Sequence, residues 1–193
     1  MQSFSRGALF AYDLPNGWDF GAMSQGLRDQ LPPDMPAVFV DRASANAQSM
    51  LISEMNTGKY IVNYSGHGST GLWASASFFS LNNVPSLTNG SNQSIFTMLT
   101  CLNGYFFAPV NDSLSEVLLK SQNGGAVVTW ASTGLTTPDI QTIMGDRFYN
   151  QVNAGDIKRI GDLIRDAKAA IPFGTDVRFS WALLGDPMLK IRP

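Results

Sequence analysis

A chain of 193 residues with 44% hydrophobic and 15% charged side chains has enough apolar material for one globular domain with a sizeable core. Its formal net charge of -2, without a long Lys/Arg run, excludes a nucleic-acid partner, which would require a basic face to neutralise phosphates. One cysteine and one histidine exclude an internal disulfide and a zinc site built from several such ligands, and no stretch approaches the roughly 20 apolar residues that span a bilayer.

The opening stretch, Met1 to Ala11, lacks the basic and apolar regions of a signal peptide, so an exported natural protein would contain this chain as a piece. Ala8 to Tyr12 is an apolar run predicted as the first strand, ending at Asp13. Phe20, Met23, Leu27 and Leu31 then recur at helical spacing. A second strand is predicted at Ala37 to Val40, followed by a helix on Ala47, Leu51 and Met55 that Gly58 ends. The third strand, Tyr60 to Tyr64, leads into His67, and after a polar turn at 91–94 the fourth, Ile95 to Thr100, leads into Cys101. Ser113 and Glu116 have capping-box spacing ahead of Val117, Leu118 and Leu119, a helix that Asn123-Gly124 closes. A strand at Gly125 to Ala131 precedes apolar stripes on Ile140, Met144, Phe148 and Val152 and on Ile157, Ile160, Ile164 and Ala167, and a last strand lies at Trp181 to Leu184. Most strands read as uninterrupted apolar runs, the pattern of strands buried on both faces. With no repeat or splitting linker, the alternation predicts a single α/β domain over residues 1–193, a mostly parallel sheet of about six strands with helices on both faces.

Asp13, His67 and Cys101 all fall just after strands, along the carboxyl edge where open parallel sheets bind ligands. A thiol with a pKa near about 8.5 is mostly protonated at neutral pH, and a neighbouring imidazole can take its proton or stabilise the thiolate. Gly66 and Gly68 flank the histidine without side chains, so the N–H groups of Gly68 and Cys101 can aim at a developing oxyanion, and Asp13 can orient or charge-balance the imidazole. A lone cysteine or histidine is more often a structural residue; their joint placement, with Asn103-Gly104 just after the cysteine, favours catalysis. Gly66-His-Gly68-Ser-Thr-Gly71 also satisfies the GxGxxG pattern of dinucleotide sites, but it follows the third strand, opens no helix and has no acidic residue about 20 positions on.

Asn63-Tyr-Ser-Gly-His-Gly-Ser69, followed 34 positions after the histidine (101 minus 67) by the cysteine of Leu99-Thr-Cys-Leu-Asn-Gly-Tyr-Phe106, resembles the gingipain peptidase family. The His-Gly and late-strand Cys pairing is shared with caspases, legumains and separases, whereas the Asn-Gly after the cysteine and the closing Trp181-Ala-Leu-Leu-Gly-Asp-Pro-Met-Leu-Lys190 are similar to gingipains. The resemblance covers about Ala8 to Ile191. It implies a caspase-like three-layer α/β/α sandwich and a hydrolase, a thiol protease in which Cys101 is the nucleophile, His67 the general acid/base, and Gly68 with Cys101 the oxyanion donors.

Further expectations follow from the same resemblance. Asp13 sits where the arginine-specific members carry a glutamate near the histidine; a capping or surface carboxylate is the alternative. Asp19 is similar in place to the acidic residue of the pocket that selects arginine or lysine before the scissile bond, and reads equally as a helix N-cap. The segment Ala131 to Pro138, with Ser132 and Thr133, corresponds to a wall of that pocket, without the tryptophan that members often carry there. Trp73 would border the cleft or serve as a core anchor. No cofactor is implied and no calcium loop is evident, although some relatives bind calcium. The expected partners are protein or peptide substrates and other domains of a longer precursor, and the expected location is the bacterial cell surface or exterior. Against this cysteine endopeptidase stand two alternatives: an inactive peptidase-like interaction module of an exported protein, and a nucleotide-binding α/β domain.

Overall fold

The computed structural model describes residues 4–75 and 77–191; the first residues of the stretch read for a leader, and Ala76 after the histidine segment, lie outside the described residues. In chain order the strands are β1 (Ala8–Tyr12), β2 (Ala37–Asp41), β3 (Ile61–Ser65), β4 (Gly68–Ser69), β5 (Leu72–Trp73), β6 (Phe79–Ser80), β7 (Ser94–Leu99), β8 (Ala126–Ser132) and β9 (Trp181–Gly185). The α-helices are α1 (Phe20–Asp29), α2 (Ala47–Asn56), α3 (Leu114–Lys120), α4 (Pro138–Ala154), α5 (Ile160–Ala169) and α6 (Thr175–Ser180).

Six strands form one sheet in the order β2-β1-β3-β7-β8-β9. The first five are mutually parallel and β9 runs antiparallel to β8, as the alternation of strands and helices predicts. Successive residues of a strand point to opposite faces, and here both faces are covered. Ala8 and Phe10 of β1 join Phe20, Leu27, Met144, Phe148 and Leu163 of α1, α4 and α5 in one apolar cluster. Leu9 and Ala11 join Leu51 and Met55 of α2 and Leu114 and Leu118 of α3 in the other. That double coverage explains the uninterrupted apolar runs.

Local signals set several element ends. The Ser113 hydroxyl accepts from the Glu116 N–H while the Glu116 carboxylate accepts from the Ser113 N–H, completing the capping box that starts α3. Gly58, at φ +76°, takes the left-handed conformation needed just past α2. Other ends differ from the pattern: α1 stops at Asp29, leaving Leu31 buried beyond it, and α5 starts at Ile160, after Ile157. The second sheet, β4-β5-β6, and the short α6 carry too few residues to show a period, so neither is legible in the sequence.

Candidate active site

The register of β3 on β7 ends at Ser65↔Leu99, and His67 and Cys101 each lie two residues beyond that pair. Neighbouring strands are about 4.8 Å apart, and the Gly66 N–H, donating to the Leu99 carbonyl at 3.3 Å, carries the pairing one step past the strands. The two residues therefore leave the sheet side by side. The glycines around the histidine are required by packing: a Cβ on Gly66 would collide with the Tyr64 hydroxyl and the Asp13 Cβ, and one on Gly68 would stand 2.5 Å from the Thr100 Oγ1.

The backbone of His67 is held on both sides. Its N–H donates to Asp13 Oδ2 at 3.2 Å, and its carbonyl accepts from the Tyr64 hydroxyl at 2.6 Å and the Ala74 N–H at 2.7 Å. Burial, with the Asp13 charge adding to it, raises the Tyr64 pKa well above its ordinary value and keeps that phenol a donor. The imidazole itself is exposed and packs edge-on against the buried Phe20 ring, at 5.4 Å between centroids and 79°. Asp13 is 3% exposed, and its Oδ1 accepts from Arg42 Nη1 at 2.6 Å and from the Leu14 N–H at 2.7 Å. The carboxylate thus meets His67 at the peptide N–H, whereas the sequence expectation placed it against the imidazole.

Cys101 is half-buried and its thiol donates to the Thr136 carbonyl at 3.5 Å. Leu102, next in the chain, has φ +60° and donates its N–H to the Gly134 carbonyl at 3.2 Å, while the Gly104 N–H donates to the Ser132 carbonyl at 2.9 Å. The cysteine loop is therefore stitched to the loop after β8. Leu102 and Ala74 are the described non-glycine residues with positive φ; one follows the cysteine and the other holds the histidine carbonyl, as expected where packing enforces a strained functional geometry. The Cys101 N–H donates to no protein acceptor among the described residues.

The expected pocket residues fall differently. Asp19 is exposed and caps α1, accepting from the Ala22 N–H at 2.8 Å, and it directly precedes Phe20, whose ring packs on the imidazole. Trp73 does not border a cleft: it is fully buried, stacked on Tyr64 at 4.5 Å and 7°, because the β4-β5-β6 sheet folds over the second apolar cluster. Ser132 is also fully buried, its hydroxyl donating to the Gly134 carbonyl at 3.0 Å and accepting from the Gly134 N–H at 3.1 Å, so it shapes the turn and offers no surface to a substrate. Thr133 is half-buried and commits both N–H and hydroxyl to the Ser180 carbonyl, at 2.7 and 2.8 Å.

Sequence reasoning missed Phe20, Arg42, Tyr64, Leu102 and Thr136. Arg42 had a usable signal: it is one step past β2 as Asp13 is one step past β1, and Tyr12↔Asp41 is the last register pair. Among the described residues no group of three or more His, Cys, Asp and Glu side chains assembles to hold a metal ion.

A half-exposed thiol and an exposed imidazole on adjacent loops are the residue types that covalent hydrolases use as nucleophile and proton carrier. The family model for peptidase family C25 matches residues 9–192. The chain belongs to peptidase family C25. Gingipain R2 and gingipain R1 of Porphyromonas gingivalis are each 25% identical to this C25 chain over 159 residues, covering 74% of it. Those alignments cover 21% and 15% of the two relatives, so the chain spans about a fifth or less of their length. The crystal structure of the Arg-specific cysteine proteinase gingipain R superposes with a TM-score of 0.83 over 98% of this chain and 48% of that one, at 20% identity. The complex of Porphyromonas gingivalis RgpB pro- and mature domains superposes with a TM-score of 0.80, again over 98% of this chain. The gingipain resemblance and the caspase-like α/β/α fold read from the sequence both hold.

Proposed function

We propose that this C25 chain is the catalytic part of a bacterial cysteine endopeptidase acting through a Cys101–His67 dyad. The observation that carries the reading is the parallel register of β3 and β7, with His67 and Cys101 at equal steps beyond Ser65↔Leu99.

His67 takes the thiol proton and the sulfur attacks the scissile carbonyl carbon, a C–S bond forming as the carbonyl π pair moves onto oxygen. That oxygen is received by the Cys101 N–H, which has no protein acceptor among the described residues, together with the Gly68 N–H. Collapse expels the amine, which leaves with the proton from His67, and the acyl group stays on sulfur as a thioester. Water then attacks the thioester carbon while His67 removes its proton, and the released thiolate regains that proton. Asp13 and Tyr64 serve this cycle by fixing the His67 peptide. Asp19, exposed next to the residue that packs on the imidazole, is the candidate partner for an arginine or lysine before the cut. Its capping bond occupies one carboxylate oxygen, and the other is available to a guanidinium. The substrates are proteins or peptides, and the chain works as one part of a longer, exported precursor.

The test is hydrolysis of a fluorogenic peptide panel varied at the residue before the cut, with Cys101→Ala, His67→Ala and Asp19→Ala compared with the native chain. Turnover should vanish with the first two, and an Arg/Lys preference should be lost with the third. Well-folded native protein that turns over nothing and leaves Cys101 unlabelled by a peptidyl electrophile would replace the reading with that of an inactive interaction module.

A further inference from the structure

Asn103 lies two residues past Cys101 and is fully buried. Its Nδ2 donates to two carbonyls, Ser69 at 2.5 Å and Leu72 at 3.2 Å. Ser69↔Leu72 is the register pair that closes the β4-β5 hairpin, and the hairpin begins at Gly68, directly after His67. One side chain of the cysteine loop therefore grips both strands of the histidine loop. Asn103 is itself anchored, its carbonyl accepting from the Ser115 N–H at 3.1 Å, and the hairpin tip is tied to the same helix by the Leu114 N–H, which donates to the Thr70 carbonyl at 2.8 Å.

The side chain is used asymmetrically. Asn103 Oδ1 is buried without a hydrogen-bond partner, and an unpaired buried carbonyl costs free energy that an apolar residue of similar size would avoid. What asparagine supplies here and leucine cannot is the pair of donors. On the other side, a Cβ on Gly68 would stand 2.5 Å from the Thr100 Oγ1, so only a residue without a side chain lets the hairpin sit this near the cysteine loop. The bare Gly68 permits the close approach and the Asn103 donors hold the hairpin there, which together define a spacing.

Resting on the proposed dyad, we infer that Asn103 is a positioning residue that sets the separation between the Gly68 N–H and the Cys101 N–H, the two donors of the oxyanion site. Donors that stabilise a transition state act only when held in place, and a shift of about 1 Å costs on the order of 100-fold in rate.

The test uses Asn103→Asp, which turns a donor into an oxygen facing two carbonyls, and Asn103→Ala, which removes it. Three quantities are compared with the native chain. The first is kcat and KM on the fluorogenic peptide that the native chain cleaves best. The second is the inhibition constant of the peptidyl aldehyde of the same sequence, whose carbon accepts the sulfur and whose oxygen becomes the hemithioacetal oxygen of an adduct that needs the same donors. The third is the rate of Cys101 alkylation by iodoacetamide from about pH 5 to about pH 9, a displacement of iodide that forms no oxyanion. The expected result is a kcat lower by about 10- to 100-fold, aldehyde binding weakened in parallel, KM changed less than about 3-fold, and an alkylation profile unchanged within about 2-fold.

An unchanged kcat would overturn the inference, and so would alkylation falling together with kcat, which marks general loosening of the loops. If Asn103→Asp and Asn103→Ala lack native circular dichroism, Asn103→Ser, which keeps one donor, is read by the same measurements; failure of all three to fold assigns Asn103 to stability alone and also overturns it. A native chain that neither cleaves peptide nor reacts at Cys101 removes the dyad and this inference together, whereas an active native chain with unaffected variants removes only the role of Asn103.

Discussion

The His67 carbonyl takes two donors, the Tyr64 hydroxyl and the Ala74 N–H, and its peptide N–H is held by a carboxylate that Arg42 neutralises. These bonds fix the peptide and leave the ring to Phe20, which suits the proposed role of an imidazole that turns between thiol and leaving group while its anchor stays still. Tyr64→Phe removes one donor and keeps the stacked ring on Trp73. It should lower stability by about 1 kcal/mol, the usual worth of one neutral hydrogen bond, and lower kcat/KM by about 3- to 10-fold through a looser histidine. Urea unfolding and peptide turnover measured on the same preparation check both parts.

At the level of elements, the two strands that lead to the proposed dyad are pinned to one helix. Tyr149 of α4 reaches the sheet, its hydroxyl meeting Thr97 Oγ1 at 2.6 Å and donating to Asn63 Oδ1 at 3.1 Å, and Thr97 also donates to that oxygen at 3.0 Å. Asn63 belongs to β3 and Thr97 to β7, and the two are register partners. A polar group buried this deeply is stable only with its partners in place. Tyr149→Phe leaves Asn63 and Thr97 bonded to each other, so stability should fall by about 1 to 2 kcal/mol while kcat/KM stays within about 2-fold. A larger loss of activity, measured by turnover beside a thermal melt, would mean that α4 sets the distance between the two strand ends.

For the whole molecule, the sequence reading was strongest where the signal is periodic. Buried strands, amphipathic helices and the capping box at Ser113 each announce themselves within a few residues, whereas two-residue strands such as β4, β5 and β6 have no period to read. The core also governs the response to pH. Burial is the leading cause that raises the pKa of Tyr60, Tyr64 and Tyr149. The unfolded chain releases these protons near about pH 10 and the folded one keeps them, so the stability they contribute is complete below about pH 10 and is lost as pH rises above it. The three together give a slope of up to about 4 kcal/mol per pH unit. Lys168, lowered by burial and then by the Arg178 charge, acts in the opposite sense, adding stability as pH climbs to about 10.4 and nothing beyond. Urea midpoints followed from about pH 9 to about pH 11.5 should therefore hold and then drop steeply, and Tyr149→Phe should shallow the drop by about a third.

What the sequence determined by itself was the alternation of strands and helices, the carboxyl edge on which Asp13, His67 and Cys101 fall, and the family, through motifs within a few residues of the last two. What only the tertiary structure decided was the environment of each side chain. Asp13 binds Arg42 and the His67 N–H across separations of 29 and 54 residues. Trp73 is packed into the core by a hairpin too short to predict, Ser132 is turned inward to bond Gly134, and Asn103 reaches carbonyls 34 and 31 residues away. The physical reason is range: hydrophobic period and turn chemistry act between near neighbours in the chain, whereas a loop side chain's partners depend on which other loops the assembled sheet brings beside it.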